Sequence, residues 1–443
     1  MVSKALIATF VPVFASMVCV LATPSHPRRT TPLVPAGHVE TPDGVDEDEG
    51  RAPRPKWENR PAVAATFLRD SYRPGSTATL VLWRRERAVT LRVYHSGPET
   101  RPTLGNITMY GVPVSAPVRL GAHAAHEPIR VRIGAWPSGL YFAQLDAPDG
   151  RVGYAPFVVR PRHLGEHRVL VVLPTYTWQA YNFRDDDGDG KGDTWYGNWN
   201  RHTAQLARPF LARGVPSHFY RYDLPFLHWL SQTHRAVDFF SDADLGSVAT
   251  GDELAAAYDL VVFPGHHEYV TTHEYDVVER YRDLGRNLMF LSANDFFWKV
   301  TLRGDTMTRV AQWRDLGRPE SALVGVQFLG TDEGVHRGPW IVRDASQSWL
   351  FSGTGLARGD DFGNAGIEID HTTSSSPAGI HVIAEIPHLF GSRFTAQMTY
   401  YETPAGAHVF AAGAFSIAGS AEHEQVARII ANLWDRLATD GRA

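Results

Sequence analysis

The spacing of apolar and polar residues changes character twice along the chain. From Ala65 to about residue 160, apolar positions alternate with polar ones in short β-branched or aromatic runs: "TATLVLWRR", "VTLRVYHSG", "IRVRIGAW", "LYFAQLDA" and "VGYAPFVVR". Period two is the signature of half-buried strands. Asp149-Gly150 between the last two runs is a hairpin signal. Residues 59–162 are therefore expected to form an antiparallel β-sandwich of immunoglobulin-like type.

After Glu166 the runs become continuous. "HRVLVVLPTYTW", "AAAYDLVVFPG" and "GRNLMFLSAND" carry uninterrupted apolar stretches, which suit strands buried on both faces by helices. Between the second and third lies "TTHEYDVVERYRDLG". Thr271 and Glu274 stand at capping-box spacing, Val277, Val278, Tyr281 and Leu284 recur at helical spacing, and Gly285 is placed to end the helix. That is a strand–helix–strand unit of a parallel sheet. Near the carboxyl end Val426, Ile429, Ile430, Leu433 and Leu437 line one face of a further helix. The fold class expected for residues 163–443 is thus α/β, an open sheet with a long insertion. In such sheets, sites form beyond the carboxyl ends of the strands.

The amino-terminal segment has neither pattern. Lys4 precedes the apolar run "ALIATFVPVFASMVCVLA", and Val20-Leu21-Ala22 fits a small-residue cleavage site. Residues 1–22 read as a secretory signal peptide, which implies an exported or cell-surface protein. The alternative is a membrane anchor, because the run is long enough to span a bilayer. Residues 23–58 are rich in Pro, Thr and charge and are expected to be a disordered linker.

Composition narrows the chemistry. The formal net charge of -5 over 443 residues gives no basic surface for nucleic acid. Cys19 is the single cysteine and lies inside the apolar run, so a cleaved chain has no disulfide, thiol nucleophile or thiolate ligand. Any metal must be held by His, Asp, Glu, Tyr or backbone oxygen.

Three polar clusters follow the predicted strands: "PTYTWQAYN" with Tyr176, Tyr181 and Asn182; "PGHHEY" with His266 and Glu268; and "SANDFFW" with Ser292, Asn294 and Asp295. Each alone is compatible with caps and turns. Their convergence at one sheet edge is the argument for a site. A second candidate is "RDDDGDGKGD". Asp185, Asp187, Asp189 and Asp193 occupy calcium-loop positions 1, 3, 5 and 9, with Gly190 at position 6. Position 12 is Tyr196 rather than glutamate, so this is no EF-hand. Ca²⁺ bound there would stiffen the loop after Tyr181; the alternative is a solvated acidic turn. Gly353 and Gly355 lack the strand-to-helix context of a phosphate loop. His202, His218, His228 and His234 read as surface or satisfied core residues, and Asp223 as a helix N-cap.

Taken in order, "SGLYFAQL", "VLPTYTWQAYNFRDDDGDGKGDTW", "VPSHFYRYDLPFL", "YDLVVFPGHHEYVT", "GRNLMFLSANDFFW", "WRDLGRPE" and "AQMTYYETPAGAHVFAAGAF" resemble the carboxyl-terminal region of the large (beta) subunit of N,N-dimethylformamidase, from about Pro137 to Phe415. The resemblance implies a sheet domain like that of class I glutamine amidotransferases, with Ala293 where their thiol would stand. It implies hydrolysis of a small amide by an iron-activated water, on a mononuclear iron (Fe³⁺) held by two tyrosines and a glutamate. The matching positions are Glu268, Tyr181 (with Tyr176 its rival) and Tyr141; on this assignment the metal ties the two domains together. His266 falls on the acid/base histidine, Asn294 on a carbonyl-orienting asparagine and Glu402 on a later site glutamate. His267 is expected to point away. A small amide is the implied substrate, and a homo-oligomer or a small-subunit partner is compatible with the resemblance. The competing reading is an exported, non-catalytic binding module stiffened by calcium.

Overall fold

The computed structural model describes residues 62–438 apart from 102, 104, 199 and 332–335, and only the backbone of 391–392. The expected signal peptide and linker lie outside the described residues. Those described belong to one compact unit, Thr41–Ala443. The molecule is sheet-rich with few helices.

The alternating runs form two sheets around a shared apolar core. One sheet holds β1 (Ala65–Phe67), β2 (Thr77–Leu82) and β4 (Pro128–Arg132). The other is built on β3 (Val89–His95), β5 (Gly139–Asp146) and β6 (Val152–Val159). Leu80, Leu82, Val93, Ala143 and Phe157 meet between them. Gly150 turns the β5–β6 hairpin at φ 87°, a conformation that glycine adopts without a Cβ clash.

The continuous runs become β7 (Val169–Leu173), β8 (Asp238–Ser241), β9 (Leu260–Phe263), β11 (Asn287–Phe290) and β17 (His408–Ala411). They lie parallel in the order β8-β7-β9-β11-β17. Val171, Val262 and Met289 face one core with α2 (Leu224–Gln232) and α5 (Glu424–Leu437). Val172, Val261 and Phe290 face the other with α3 (Gly251–Ala257) and α4 (Thr272–Asp283). Burial on both faces is why these strands show no alternation. The Thr271–Glu274 capping box forms, and Gly285 ends α4 at φ 84°. On α5 the five expected apolar side chains are buried, each contributing roughly 1.5–3 kcal/mol.

The expected insertion does not form a separate body. Arg337–Val342, β14 (Asp361–His371), β15 (His381–His388) and β16 (Phe394–Glu402) extend the same sheet in antiparallel fashion beyond β17. A small second sheet, β10 (Tyr269–Thr271), β12 (Trp298–Arg303), β13 (Thr306–Gln312) and Thr203–Gln205, covers the carboxyl edge of the parallel strands.

Candidate functional site

Three chain segments that leave the parallel strands are locked together at that edge. β7 runs through Pro174 into α1 (Thr175–Ala180), and Tyr181 follows immediately. After β9, the Glu268 N–H donates to Thr177 Oγ1 at 3.2 Å, so α1 grips this loop. From the other side, Phe296 N–H donates to the His267 carbonyl, Trp298 N–H to the Glu268 carbonyl, and His267 N–H to Asp295 Oδ1. The turn after β11 that provides these bonds holds Asn294 at φ 55° and Phe296 at φ 61°. Left-handed backbone at a bulky residue costs about 1–3 kcal/mol and persists only where the surroundings fix it.

Glu268 is 1% exposed and two phenols bond its carboxylate. Tyr181 donates to Oε2 at 2.8 Å and Tyr196 to Oε1 at 3.0 Å. The two hydroxyl oxygens lie 3.0 Å apart and the rings stack at 4.4 Å. Behind them the Tyr269 hydroxyl sits 2.6 Å from that of Tyr196 and accepts from Trp195 Nε1 at 3.0 Å. His266 Nε2 approaches Glu268 at 3.5 Å and Glu368 at 3.3 Å, as ion-pair contacts rather than aligned hydrogen bonds. Asn294 Nδ2 donates to Glu368 Oε2 at 2.6 Å, its N–H is shared by both Asp370 oxygens at 3.0 Å, and its Oδ1 has no partner.

Burial dominates the electrostatics. It raises the Glu268 carboxyl to about 7, with His266 opposing and Glu368 adding to the rise. For His266 burial alone would lower the pKa, but the carboxylates of Glu368 and Glu268 outweigh it and push it up to about 9. Burial and the neighbouring carboxylates hold Tyr181 and Tyr196 well above the ordinary phenol range. A buried set this rich in oxygen acceptors has a single cationic neighbour, His266, among these residues. It fits a hard trivalent or divalent cation: phenolate and carboxylate are hard ligands, and a bound cation favours the deprotonated forms that burial alone opposes.

The structure brings together His266, Glu268, Tyr181 and Asn294 from the sequence-derived set. Tyr141 and Glu402 stand elsewhere. Tyr141 is buried in the core of the first layer, its hydroxyl donating to the Pro137 carbonyl and its ring stacked on His95 and Trp136. The alternating pattern turns it inward between the two sheets, and Tyr196 stands at the phenol position instead. Glu402 ends β16, opposite His408 at the start of β17. Because β17 runs parallel to β11, Glu402 lies at the amino-terminal edge of the sheet, half-exposed and bonded to Tyr400. Tyr176, the rival phenol, is buried in the same apolar cluster as Tyr181 and Tyr269, but the carboxylates that act on it, with burial, to raise its pKa are Glu274, Asp242, Asp70 and Asp244 rather than Glu268.

Two site residues escaped the sequence reading. In the sequence Tyr196 stands out only as the residue that rules out an EF-hand. The acidic loop turns back on itself through Asp193 N–H to the Arg184 carbonyl and Asp186 N–H to Asp193 Oδ2, which lays Tyr196 over Tyr181. Glu368 comes from β14, a hundred residues after Glu268. Ile367 at φ 69° marks a register shift against Ala414–Phe415, and Asp370 N–H bonds the Gly413 carbonyl. A β-bulge of this kind re-aims the side chains that follow it. No local signal in "GIEIDH" marks this return.

In the acidic loop, oxygens of Asp185, Asp187 and Asp193 lie within 4.8 Å of one another. Arg201 pairs with Asp187 at 2.6 Å and Asp193 at 2.8 Å. Asp189 is not in the group; its carboxylate accepts the Lys191 N–H. His267 points into the sheet, bracketed by the Gly265 and Val172 carbonyls at 3.1 and 2.9 Å, and burial lowers its pKa to about 3.

A family model described as N,N-dimethylformamidase beta subunit-like, C-terminal, matches residues 128–427, well over half of the chain. The chain belongs to that family. The matched span begins at β4 and ends within α5, so it takes in every residue of the phenol–carboxylate cluster. No curated protein matches. Among solved structures, a superoxide reductase (neelaredoxin) from Ignicoccus hospitalis aligns over 28% of this chain and 93% of its own at 12% identity and a TM-score of 0.16. A cycloisomaltooligosaccharide glucanotransferase from Paenibacillus sp. aligns over 80% and 69% at 8% identity and 0.18. Neither likeness extends to a shared overall fold.

Proposed function

We propose that this dimethylformamidase-family chain is a metal-dependent amidohydrolase that cleaves the C–N bond of a small amide. The observation that carries the reading is the convergence of Tyr181 and Tyr196 on the buried Glu268 carboxylate, with His266 beside it. Tyr181, Tyr196 and Glu268 would hold a mononuclear iron. When bound, such an ion supplies Lewis acidity toward an amide carbonyl and toward water. The chain's own groups do the rest. His266 Nε2 moves a proton, from the attacking water or to the departing amine. Glu368 holds the imidazole, and Asn294 in turn holds Glu368. The second amide hydrogen of Asn294 is available to orient a carbonyl oxygen. Tyr269 and Trp195 fix the Tyr196 ring and are positioning residues.

The test is metal analysis of purified full-length protein after iron loading. About one iron per chain and a tyrosinate charge-transfer absorption are expected, both lost in Glu268→Ala. Colourless, metal-free protein would sink the reading.

We also infer an amidotransferase-like arrangement for the parallel sheet and an immunoglobulin-like one for the first layer, supported by strand order and by the turn at Asn294. Calcium at Asp185, Asp187 and Asp193 is a separate proposal, supported by their proximity; the ion would displace Arg201. It predicts a calcium-dependent rise in melting temperature, which Asp187→Asn abolishes. Export to the cell surface remains the proposed location, on the strength of residues 1–22.

A further inference from the structure

Beside the phenol cluster lies a small cavity, about 30 Å³ in volume. That is room for about two waters, so it admits only a small group. Tyr181 and His266 line it together with Trp178, Tyr222, Phe415 and Asp223. In the sequence Asp223 reads as a helix N-cap. It does precede α2, but its side chain makes no capping bond. Instead Trp178 Nε1 donates to Oδ2 at 3.1 Å, and Oδ1 has no partner although the residue is 3% exposed. Oδ1 lies against the bare Cα of Gly265, the neighbour of His266: a Cβ there would stand 2.6 Å from it. A buried carboxylate oxygen left without a donor is costly, and a bound donor would remove that cost.

We propose that this cavity receives the nitrogen side of the substrate and that Asp223 Oδ1 accepts a hydrogen bond from it, so that the site selects small amides carrying at least one N–H over fully alkylated ones. The inference rests on the amidohydrolase reading. His266, which would protonate the departing nitrogen, lines the same cavity, and the three aromatic walls suit a single methyl group. Burial pushes the Asp223 carboxyl up to about 7, so binding is best measured at pH 8, where Oδ1 is an acceptor.

The probes are N-methylformamide and N,N-dimethylformamide, titrated into the full chain by ligand-observed NMR, with turnover of both followed on iron-loaded protein. The expected result is at least a tenfold preference for N-methylformamide, the discrimination of a site built around a polar partner. In Asp223→Asn, which keeps the size and the Trp178 contact, the ratio falls to near one. Asp223→Leu repeats the test without a polar group, and near-ultraviolet circular dichroism checks that both variants fold. Equal binding of the two amides by the unaltered protein overturns the proposal, as does a preference that survives in folded Asp223→Asn. An Asp223-dependent preference without hydrolysis supports the subsite and removes the amidohydrolase reading. Hydrolysis that favours N,N-dimethylformamide does the reverse.

Discussion

Three phenols stand around one carboxylate, but they are not equivalent. Tyr181 and Tyr196 bond Glu268 directly, whereas Tyr269 reaches it only through Tyr196. Tyr196→Phe should therefore abolish stoichiometric iron binding and the charge-transfer band. Tyr269→Phe should retain one iron per chain with an affinity lower by about 10–100-fold, as for other groups that orient a ligand. Competition with a chelator measures both. The adjacent histidines divide in the same way. His266 faces the carboxylates, while His267 ties the β9 loop to β7 through two carbonyls. His267→Leu should cost about 1–3 kcal/mol in urea unfolding by stranding a buried acceptor, with iron stoichiometry kept. In "HHEY" the residue types are visible in sequence, but which histidine faces which way depends on the bonds made by the Asn294–Trp298 turn.

At the level of elements, the acidic loop decides where the second phenol goes. Asp193 accepts the Asp186 N–H and pairs with Arg201, and Trp83 of the first layer donates to Asp186 at 2.8 Å. The first layer thus supports the site through this loop, not through Tyr141. Asp193→Ala should lower stability by about 1–2 kcal/mol and weaken iron binding, because Tyr196 loses its fixed approach to Tyr181. Denaturant titration and chelator competition on the same sample separate the two effects. The α4 start is a simpler case. Thr271→Ala removes the capping bond to the Glu274 N–H and should cost about 1 kcal/mol. That cap was legible in sequence because both partners lie within one turn; the loop closure was not, because its partners are set by the fold.

For the whole molecule, His228 on α2 joins Glu99 of the first layer to Glu422 before α5, at 3.1 and 2.8 Å. Burial would lower its pKa, but the two carboxylates outweigh burial and raise it from 6.5 to about 9. A raised folded pKa stabilises fully below pH 6.5 and is lost as pH rises through about 9. The contribution is on the order of 2 kcal/mol, reduced by the exposure of Glu422. Melting temperature should fall between pH 6.5 and 9 in the unaltered protein and fall distinctly less in His228→Leu; equal slopes would remove His228 from the account.

Local spacing by itself determined the alternating strands of the first layer, the doubly buried parallel strands, the capped helix α4 and the amphipathic helix α5. Each rests on periodicity within a few residues, where burial of one face or both dictates residue type. It also placed His266, Glu268 and Asn294 at strand ends, because parallel strands must deliver their following loops to one edge. Only the tertiary structure decided which phenols and which second carboxylate complete the cluster. The resemblance points to Tyr141 and Glu402, whereas the fold brings Tyr196 and Glu368 to Glu268. Strand direction sends Glu402 to the far edge, a bulge at Ile367 turns Glu368 inward, and a loop closed by its own aspartates folds Tyr196 onto Tyr181. These are long-range pairings, fixed by packing and by the bonding of buried polar groups, and no short stretch of sequence carries them.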